Sequence, residues 1–264
     1  MNLSDLKVTL VQTALFWEDA SLNLAMFDET LETISRETDL IVLPEMFSTG
    51  FSMAAAKHAE GMDGRAVRWL RETSRKKSVD IVGSLMIRDK NRFFNRLLWA
   101  KPDGVLLTYD KRHLFRMAGE EKVYSAGNSL LTVRLKGWKI RPFICYDLRF
   151  PAWTRNVDNA YDLAVFVANW PEKRSLHWQK LLVARAIENQ CFVVGVNRVG
   201  KDGHGVNFSG DSVVIDPVGI ELVLLRYEPC VHTVNLSGQQ LLDYRKNFPA
   251  WMDADADLIN IKYE

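Results

Sequence analysis

Three residues of this chain stand where chemistry could be done. Cys145 follows the apolar run Arg141-Pro-Phe-Ile144 and precedes Tyr146-Asp-Leu-Arg149-Phe-Pro151. Glu45 follows Asp39-Leu-Ile-Val-Leu-Pro44, and Lys111 follows Thr108-Tyr-Asp110. Each position reads as the point where a strand gives way to a loop. Proteins that mix strands and helices build sites at strand ends, so the three could converge. A thiolate is a strong nucleophile, but a thiol needs a base near neutral pH. A carboxyl serves if burial raises its pKa towards about 6 or 7. A fixed ammonium stabilises the oxyanion of a tetrahedral intermediate. At a sharp strand exit the N–H after the cysteine can point at the same oxyanion. Taken singly, each residue has a plainer reading: a buried small side chain, a helix cap and a surface lysine.

The elements that would carry these residues follow from apolar spacing. Strands are expected over residues 6–12, 39–44, 79–87, 96–101, 105–109, 130–135, 140–145, 163–168, 191–197, 211–215 and 221–225. Helical spacing of Leu24, Phe27, Leu31 and Ile34 marks residues 20–37. A second helix is expected to run from a cap at Asp63 to Lys77, with Val67 and Leu70 inward. A third runs from a cap at Ser175 to Asn189, with Trp178, Leu181, Leu182 and Ile187 inward. The alternation defines an α/β protein. A faint repeat sets Asp39-Leu-Ile-Val against Asp162-Leu-Ala-Val, and Ile81-Val-Gly83 against Val193-Val-Gly195. Hairpin turns follow at Pro102-Asp-Gly104 and Pro217-Val-Gly219. The repeat suggests two similar sheets packed face to face with helices outside. No linker composition divides the chain, so residues 1–264 are read as one domain.

Composition narrows the function. The 264 residues carry 34 Lys plus Arg against 33 Asp plus Glu, so no global field draws nucleic acid or an anionic membrane. Arg75-Lys76-Lys77 reads as a solvated helix end. No apolar run approaches the length of a membrane span, and Asp5 and Lys7 interrupt any signal-like core. Cys145, Cys191 and Cys230 form no CxxC pair and no disulfide framework, which suits a reducing, cytoplasmic setting. No His-Glu-x-x-His pattern marks a zinc site. Gly200-Lys-Asp-Gly203-His-Gly205 is followed by a second apolar run and no helix, so it reads as a loop and not as a phosphate cradle. No Gly-x-Cys-x-Gly surrounds Cys145, and His58, His113, His177, His204 and His232 lack a partner motif, which weakens a Cys–His hydrolase or glutamine amidotransferase. His113 reads as a hydrogen-bonded orienting residue.

Four blocks together resemble the nitrilase (carbon–nitrogen hydrolase) superfamily over nearly the whole chain. They are Leu43-Pro-Glu45, Tyr109-Asp-Lys111-Arg-His-Leu-Phe115, Ile144-Cys-Tyr-Asp-Leu-Arg-Phe-Pro151 and Ala184-Arg-Ala-Ile-Glu-Asn189. The resemblance implies a four-layer α-β-β-α sandwich of two packed mixed sheets. It implies Glu45 as general base, Lys111 with the Tyr146 N–H as oxyanion support, and Cys145 as nucleophile. It also implies a second glutamate, matched best by Glu120, with Glu121 adjacent. Arg185 and Glu188 would belong to structure or a subunit interface. No metal or organic cofactor is implied.

Finer tokens resemble the ω-amidase branch: Met46-Phe-Ser-Thr-Gly50-Phe-Ser, Asn169-Trp-Pro171, Arg174-Ser-Leu-His-Trp178 and Tyr244-Arg-Lys-Asn-Phe-Pro249-Ala-Trp. That branch hydrolyses the terminal amide of short dicarboxylic acid monoamides such as 2-oxoglutaramate and 2-oxosuccinamate. The far carboxylate of such a substrate needs a cation, for which Arg149 and Arg116 are the candidates. Asn169, Trp170, Phe51 and Phe115 are candidates for the pocket wall. A nitrilase proper, a carbamoylase or a deaminated-glutathione amidase would use the same triad. A non-catalytic binding protein on the same fold is a further alternative. The resemblance also implies a homodimer or a larger homo-oligomer, to which Trp153, Trp178 and Trp251 could contribute.

Overall fold

A computed structural model describes residues 3–34 and 37–254. Its strands are β1 (Leu6–Gln12), β2 (Leu40–Val42), β3 (Asp80–Asp89), β4 (Arg92–Ala100) and β5 (Leu106–Asp110). There follow β6 (Val133–Leu135), β7 (Trp138–Ile144), β8 (Leu163–Ala168), β9 (Phe192–Asn197) and β10 (Val199–Lys201). The last three are β11 (Asn207–Ile215), β12 (Glu221–Arg226) and β13 (Cys230–Leu236). One sheet has the order β13-β1-β2-β3-β4-β5, and the other β10-β11-β9-β8-β7-β6 with β12 paired to β11. Both are mixed. β1, β2 and β3 are parallel, as are β7, β8 and β9, and the flanking strands pair antiparallel.

Period-two alternation decides which side chains meet between the sheets. In β2, Leu40 and Val42 enter the inter-sheet core with Val165, Val167 and Val194 of the facing sheet. Ile41 and Leu43 point the other way and pack under the helices Ala20–Glu32 and Arg65–Lys77, against Leu24, Phe27, Val67 and Leu70. The helix Ser175–Asn189 covers the second sheet, where Trp178 and Leu182 are fully buried. Sheets covered on both faces explain the unbroken apolar runs of the sequence.

The faint repeat corresponds to topology. β2 and β3 pair in parallel and β3 returns antiparallel through β4, just as β8 and β9 pair in parallel and β9 pairs antiparallel with β11. The two repeat glycines serve one purpose. A Cβ on Gly83 would meet Phe47 at 2.8 Å, and one on Gly195 would meet Leu182 at 2.7 Å and Trp178 at 2.8 Å. Both admit a large side chain close to the sheet.

Several expected boundaries are corrected. The first helix ends at Glu32, where Thr33 bonds back to Leu31 and Thr30; residues 35 and 36 of the expected span lie outside the described residues. Asp63 is not the cap of the second helix. Gly64 holds that position, and Glu60 Oε1 accepts the Val67 N–H at 2.9 Å. A carboxylate from the preceding loop thus does the work of the N-cap. Ser175 is the first helical residue and Arg174 the cap position. Ile187 faces outward and is 49% exposed. β3 and β4 run longer than expected because Lys90, with φ of 55°, closes a tight turn between them. The hairpin β10–β11 and the edge strand β13 were not anticipated, and neither was the helix Gly238–Asn247.

Candidate active site

Glu45, Lys111 and Cys145 each lie just beyond a strand, and the two sheets bring them to one pocket of about 390 Å³. That volume suits a small molecule. Lys111 Nζ donates to Glu45 Oε1 at 2.8 Å and to both carboxylate oxygens of Glu120 at 3.0 Å. Glu120 and not Glu121 is therefore the second glutamate of the cluster. Its Oε2 also accepts the Phe115 N–H at 2.5 Å.

Residues that motif reasoning missed hold the cluster in place. Asn95 Nδ2 donates to Glu45 Oε1 at 2.8 Å and to Glu120 Oε1 at 3.3 Å, so one amide spans both carboxylates. Ser84 Oγ donates to Asn95 Oδ1 at 2.9 Å and accepts the Met46 N–H at 2.8 Å. The available signal was Asn95 itself, a polar residue among Phe93, Phe94, Leu97 and Leu98. Asn169 supports Glu45 from the other sheet. Its N–H donates to Glu45 Oε2 at 2.8 Å, and its Nδ2 donates to the Glu45 carbonyl at 2.5 Å.

Cys145 has φ of 43° and begins a 3-10 turn that runs to Arg149. A left-handed residue at the end of β7 is the sharp strand exit expected of a displayed nucleophile. The thiol is only 9% exposed. Burial pushes its pKa up, and the Glu45 carboxylate adds to that, while Lys111 opposes. The resting group is therefore the thiol, with the Glu45 carboxylate close enough to oppose its ionisation. Burial alone would lower Lys111, but Glu120 and Glu45 outweigh it and hold the ammonium charged. Burial raises Glu120, which Lys111 partly offsets. Passing a proton from Cys145 to Glu45 leaves the net charge of this buried cluster unchanged, so no new charge is buried by activation.

A second network fixes the elbow to the lysine segment. Asp147, fully buried, accepts from Tyr109 Oη at 2.6 Å, from the His113 N–H at 2.9 Å and from the Ile144 N–H at 3.2 Å. His113 Nδ1 lies 2.9 Å from the same carboxylate, and its ring stacks on Phe150 at 3.7 Å. His113 is thus the orienting residue its motif suggested. Arg185 donates to the Leu148 carbonyl at 2.6 Å and pairs with Glu188 at 2.8 Å, which makes that block a brace for the elbow. Asp147→Asn removes acceptors from this clasp while keeping its shape. We expect kcat to fall by on the order of 100-fold with little change in KM, as for a small misplacement of reacting groups. Equal kcat in the variant and the parent would contradict the positioning role.

The other expected site residues divide. Phe115, Tyr146, Arg149, Asn169 and Trp170 line the pocket, and so does Phe51, whose ring lies 5.0 Å from Lys111 Nζ. Arg116 does not. It is exposed on the turn Arg116–Ala118, while its neighbours Phe115 and Met117 face the cavity. Arg174, which sequence reasoning did not single out for binding, is on the pocket wall. Among the described residues no group of His, Cys, Asp and Glu is arranged to hold a metal ion.

Burial of proton-holding groups has a consequence for stability. Cys145, Tyr109 and Tyr161 are held well above their ordinary pKa by burial, and Cys191 is pushed up to about 12. Above about pH 8.5 the unfolded chain releases protons that the folded one retains, so stability falls as pH rises. Lys111, also raised, acts in the same direction: its contribution is full below its unfolded pKa and is lost above it. We expect Tm to fall steadily from about pH 8.5 to 11. A flat profile in thermal melts over that range would show these groups to be less buried than described.

The two-sheet sandwich and the cysteine–glutamate–lysine pocket at its strand ends define the class, that of the nitrilase superfamily. The chain belongs to the carbon–nitrogen hydrolase family, whose model matches residues 7–241. It is 49% identical over 252 residues to the omega-amidase YafV of Escherichia coli K12, covering 95% of this chain and 97% of that protein. It is 34% identical to a 2-oxoglutaramate amidase of Bacillus subtilis, covering 95% and 98%. Among solved structures, XC1258 of Xanthomonas campestris superposes with a TM-score of 0.93 at 46% identity, covering 95% and 97%. That protein carries an arsenic adduct in its active site. A glutamate-to-glutamine mutant of an amidase of Nesterenkonia sp., at TM-score 0.80 and 25% identity over 93% and 98%, has been seen with acrylamide added to its active-site cysteine.

Proposed function

We propose that this chain is an ω-amidase that hydrolyses the terminal amide of short dicarboxylic acid monoamides, 2-oxoglutaramate and 2-oxosuccinamate among them, to the acid and ammonia. The observation that carries the reading is one pocket holding the Cys145–Glu45–Lys111 cluster together with cationic wall residues. Two groups of relatives with amidase names lend it weight.

In the mechanism we assign, Glu45 takes the Cys145 proton and the thiolate attacks the amide carbon. Lys111 and the Tyr146 N–H hold the oxyanion. Glu45 passes the proton to the departing nitrogen, ammonia leaves and a thioester remains. Glu45 then deprotonates a water that releases the acid and restores the thiol. Glu120 and Asn95 keep Lys111 and Glu45 in register throughout. Asn169 Oδ1 is buried without a partner among the described residues, and we assign it to the N–H of the substrate amide.

The test is ammonia release from 2-oxoglutaramate beside glutamine, a simple nitrile and an N-carbamoyl amino acid. Turnover confined to 2-oxoglutaramate supports the reading. Turnover of another of these compounds alone would keep the cluster and move the chain to a different branch.

We also place the enzyme in the cytoplasm, where its three unpaired cysteines stay reduced, and read it as a homodimer. No helix among the described residues is long and apolar enough to cross a membrane. Exposed apolar residues support a dimer: Ile187 on the helix Ser175–Asn189, against which the Gly219 turn packs, and Val218, Ile220 and Leu222 around that turn. Trp153 and Trp178, at 5% and 0% exposure, belong to the core instead.

A further inference from the structure

We propose that Arg174 is the residue that grips the far carboxylate of the substrate. The proposal rests on the ω-amidase reading and names the anion subsite of that pocket.

Besides Lys111, which Glu45 and Glu120 already neutralise, three cationic side chains line the cavity: Arg149, Lys173 and Arg174. They differ in how far they are already engaged. Arg149 Nη2 lies 2.9 Å from His177 Nδ1, and its guanidinium rests 4.9 Å above the Trp170 ring. Lys173 is exposed, and a hydrated ammonium holds a ligand weakly. Arg174 is half-buried and forms no ion pair and no side-chain hydrogen bond among the described residues. Its guanidinium lies over the Phe115 ring at 5.2 Å.

A partly desolvated guanidinium with no anion beside it is costly to keep, and a bound carboxylate would relieve that cost. The electrostatics agree. Burial lowers Arg174, Cys145 opposes this only once it is a thiolate, and the like charge of Arg149 lowers Arg174 further. Asp202 is also on the cavity wall, but its Oδ1 accepts the His204 and Val206 N–H groups, each at 2.9 Å.

The residue is also held where a rigid fork is useful. The Trp170 Nε1–H donates to the Arg174 carbonyl at 2.8 Å, so the side chain starts from a fixed backbone. Phe115, the platform beneath the guanidinium, is tied through its N–H to Glu120. The platform for the carboxylate therefore hangs from the glutamate that holds Lys111. A planar guanidinium takes a carboxylate through two parallel bonds, which a lysine cannot reproduce.

The test compares the parent enzyme with Arg174→Gln and Arg174→Lys on 2-oxoglutaramate and on pentanamide, a neutral amide of the same length. The expected result is a fall of about 10- to 100-fold in the ratio of kcat/KM for 2-oxoglutaramate to that for pentanamide in Arg174→Gln. It should appear mainly in KM, with partial recovery in Arg174→Lys. A second measurement needs no turnover: 2-oxoglutarate should slow alkylation of Cys145 by iodoacetamide in the parent, and Arg174→Gln should abolish that protection. An unchanged ratio with unchanged protection overturns the proposal. Equal losses on both amides also overturn it, because they indicate a structural role. If the parent fails to hydrolyse 2-oxoglutaramate while protection still depends on Arg174, the substrate reading falls and the anion subsite stands.

Discussion

Cys145→Ala protein is expected to fold as the parent does and to lose turnover by a factor on the order of 10⁴ or more. Cys145 sits at φ of 43° at the end of β7, and neither the strand nor the turn that follows depends on its sulfur. Its neighbours Ile144 and Asp147 are fixed by other contacts, including the clasp with Tyr109 and His113. Alanine therefore removes the nucleophile and little else. Serine at this position should fare almost as badly. Its hydroxyl is a far weaker acid than a thiol, and a single carboxylate is a poor base for it. Full-length kinetics with a matched melting curve separate loss of chemistry from loss of fold. A Cys145→Ala enzyme that retains a tenth of parental turnover would remove the thiol from the mechanism.

The second large effect is expected at Lys111, where activity and stability should fall together. Lys111 Nζ is 1% exposed and is the cation shared by Glu45 and Glu120, both fully buried. Lys111→Met leaves two carboxyls in a dry site with only amides for company. Breaking a buried pair in this way costs about 3–5 kcal/mol. For a chain of this size that corresponds to a drop in Tm on the order of 10 °C. The carboxyls can escape part of the penalty by taking up protons, which raises their pKa above the unfolded value. The lost stability should therefore be partly recovered on acidification and be largest at neutral pH and above. Turnover should fall by a further 10²- to 10³-fold, about the worth of one oxyanion donor. Measuring kcat below the new melting temperature keeps the two losses apart. If Lys111→Met melts like the parent at neutral pH, the cluster is wetter than the geometry shows.

How much of this was legible in the sequence depends on the range of each interaction. Glu45, Lys111 and Cys145 could be found because each ends its own apolar run, and a strand end is a local feature. The parallel pairs β2–β3 and β8–β9 were legible through the repeat, because like positions in both halves face like environments. Asn95 and Ser84 were not read as part of the site. They lie inside β3 and β4, and their meaning appears only when Glu45 and Glu120 arrive from elsewhere in the chain. Glu60 capping the helix Arg65–Lys77 escaped for a similar reason, since a nearer acid, Asp63, suits the local pattern better. Arg116 and Arg174 exchanged places. Arg116 follows the aromatic Phe115 in sequence, but the turn there leaves it exposed, whereas Arg174, with no aromatic neighbour in sequence, shares the pocket wall with Cys145. Strand β13 was overlooked because exposed Thr233 and Asn235 break its apolar run, as befits a sheet edge.

The central claim is that amide hydrolysis passes through a thioester on Cys145, and intact-mass analysis tests it directly. Parent enzyme quenched in acid during turnover of 2-oxoglutaramate should carry the acyl group, heavier by the substrate less ammonia. Peptide mapping should place that mass on the segment holding Cys145, and Cys145→Ala should show none. An enzyme that releases ammonia at the parental rate without the adduct, or an adduct that maps to Cys191 or Cys230, would contradict the account.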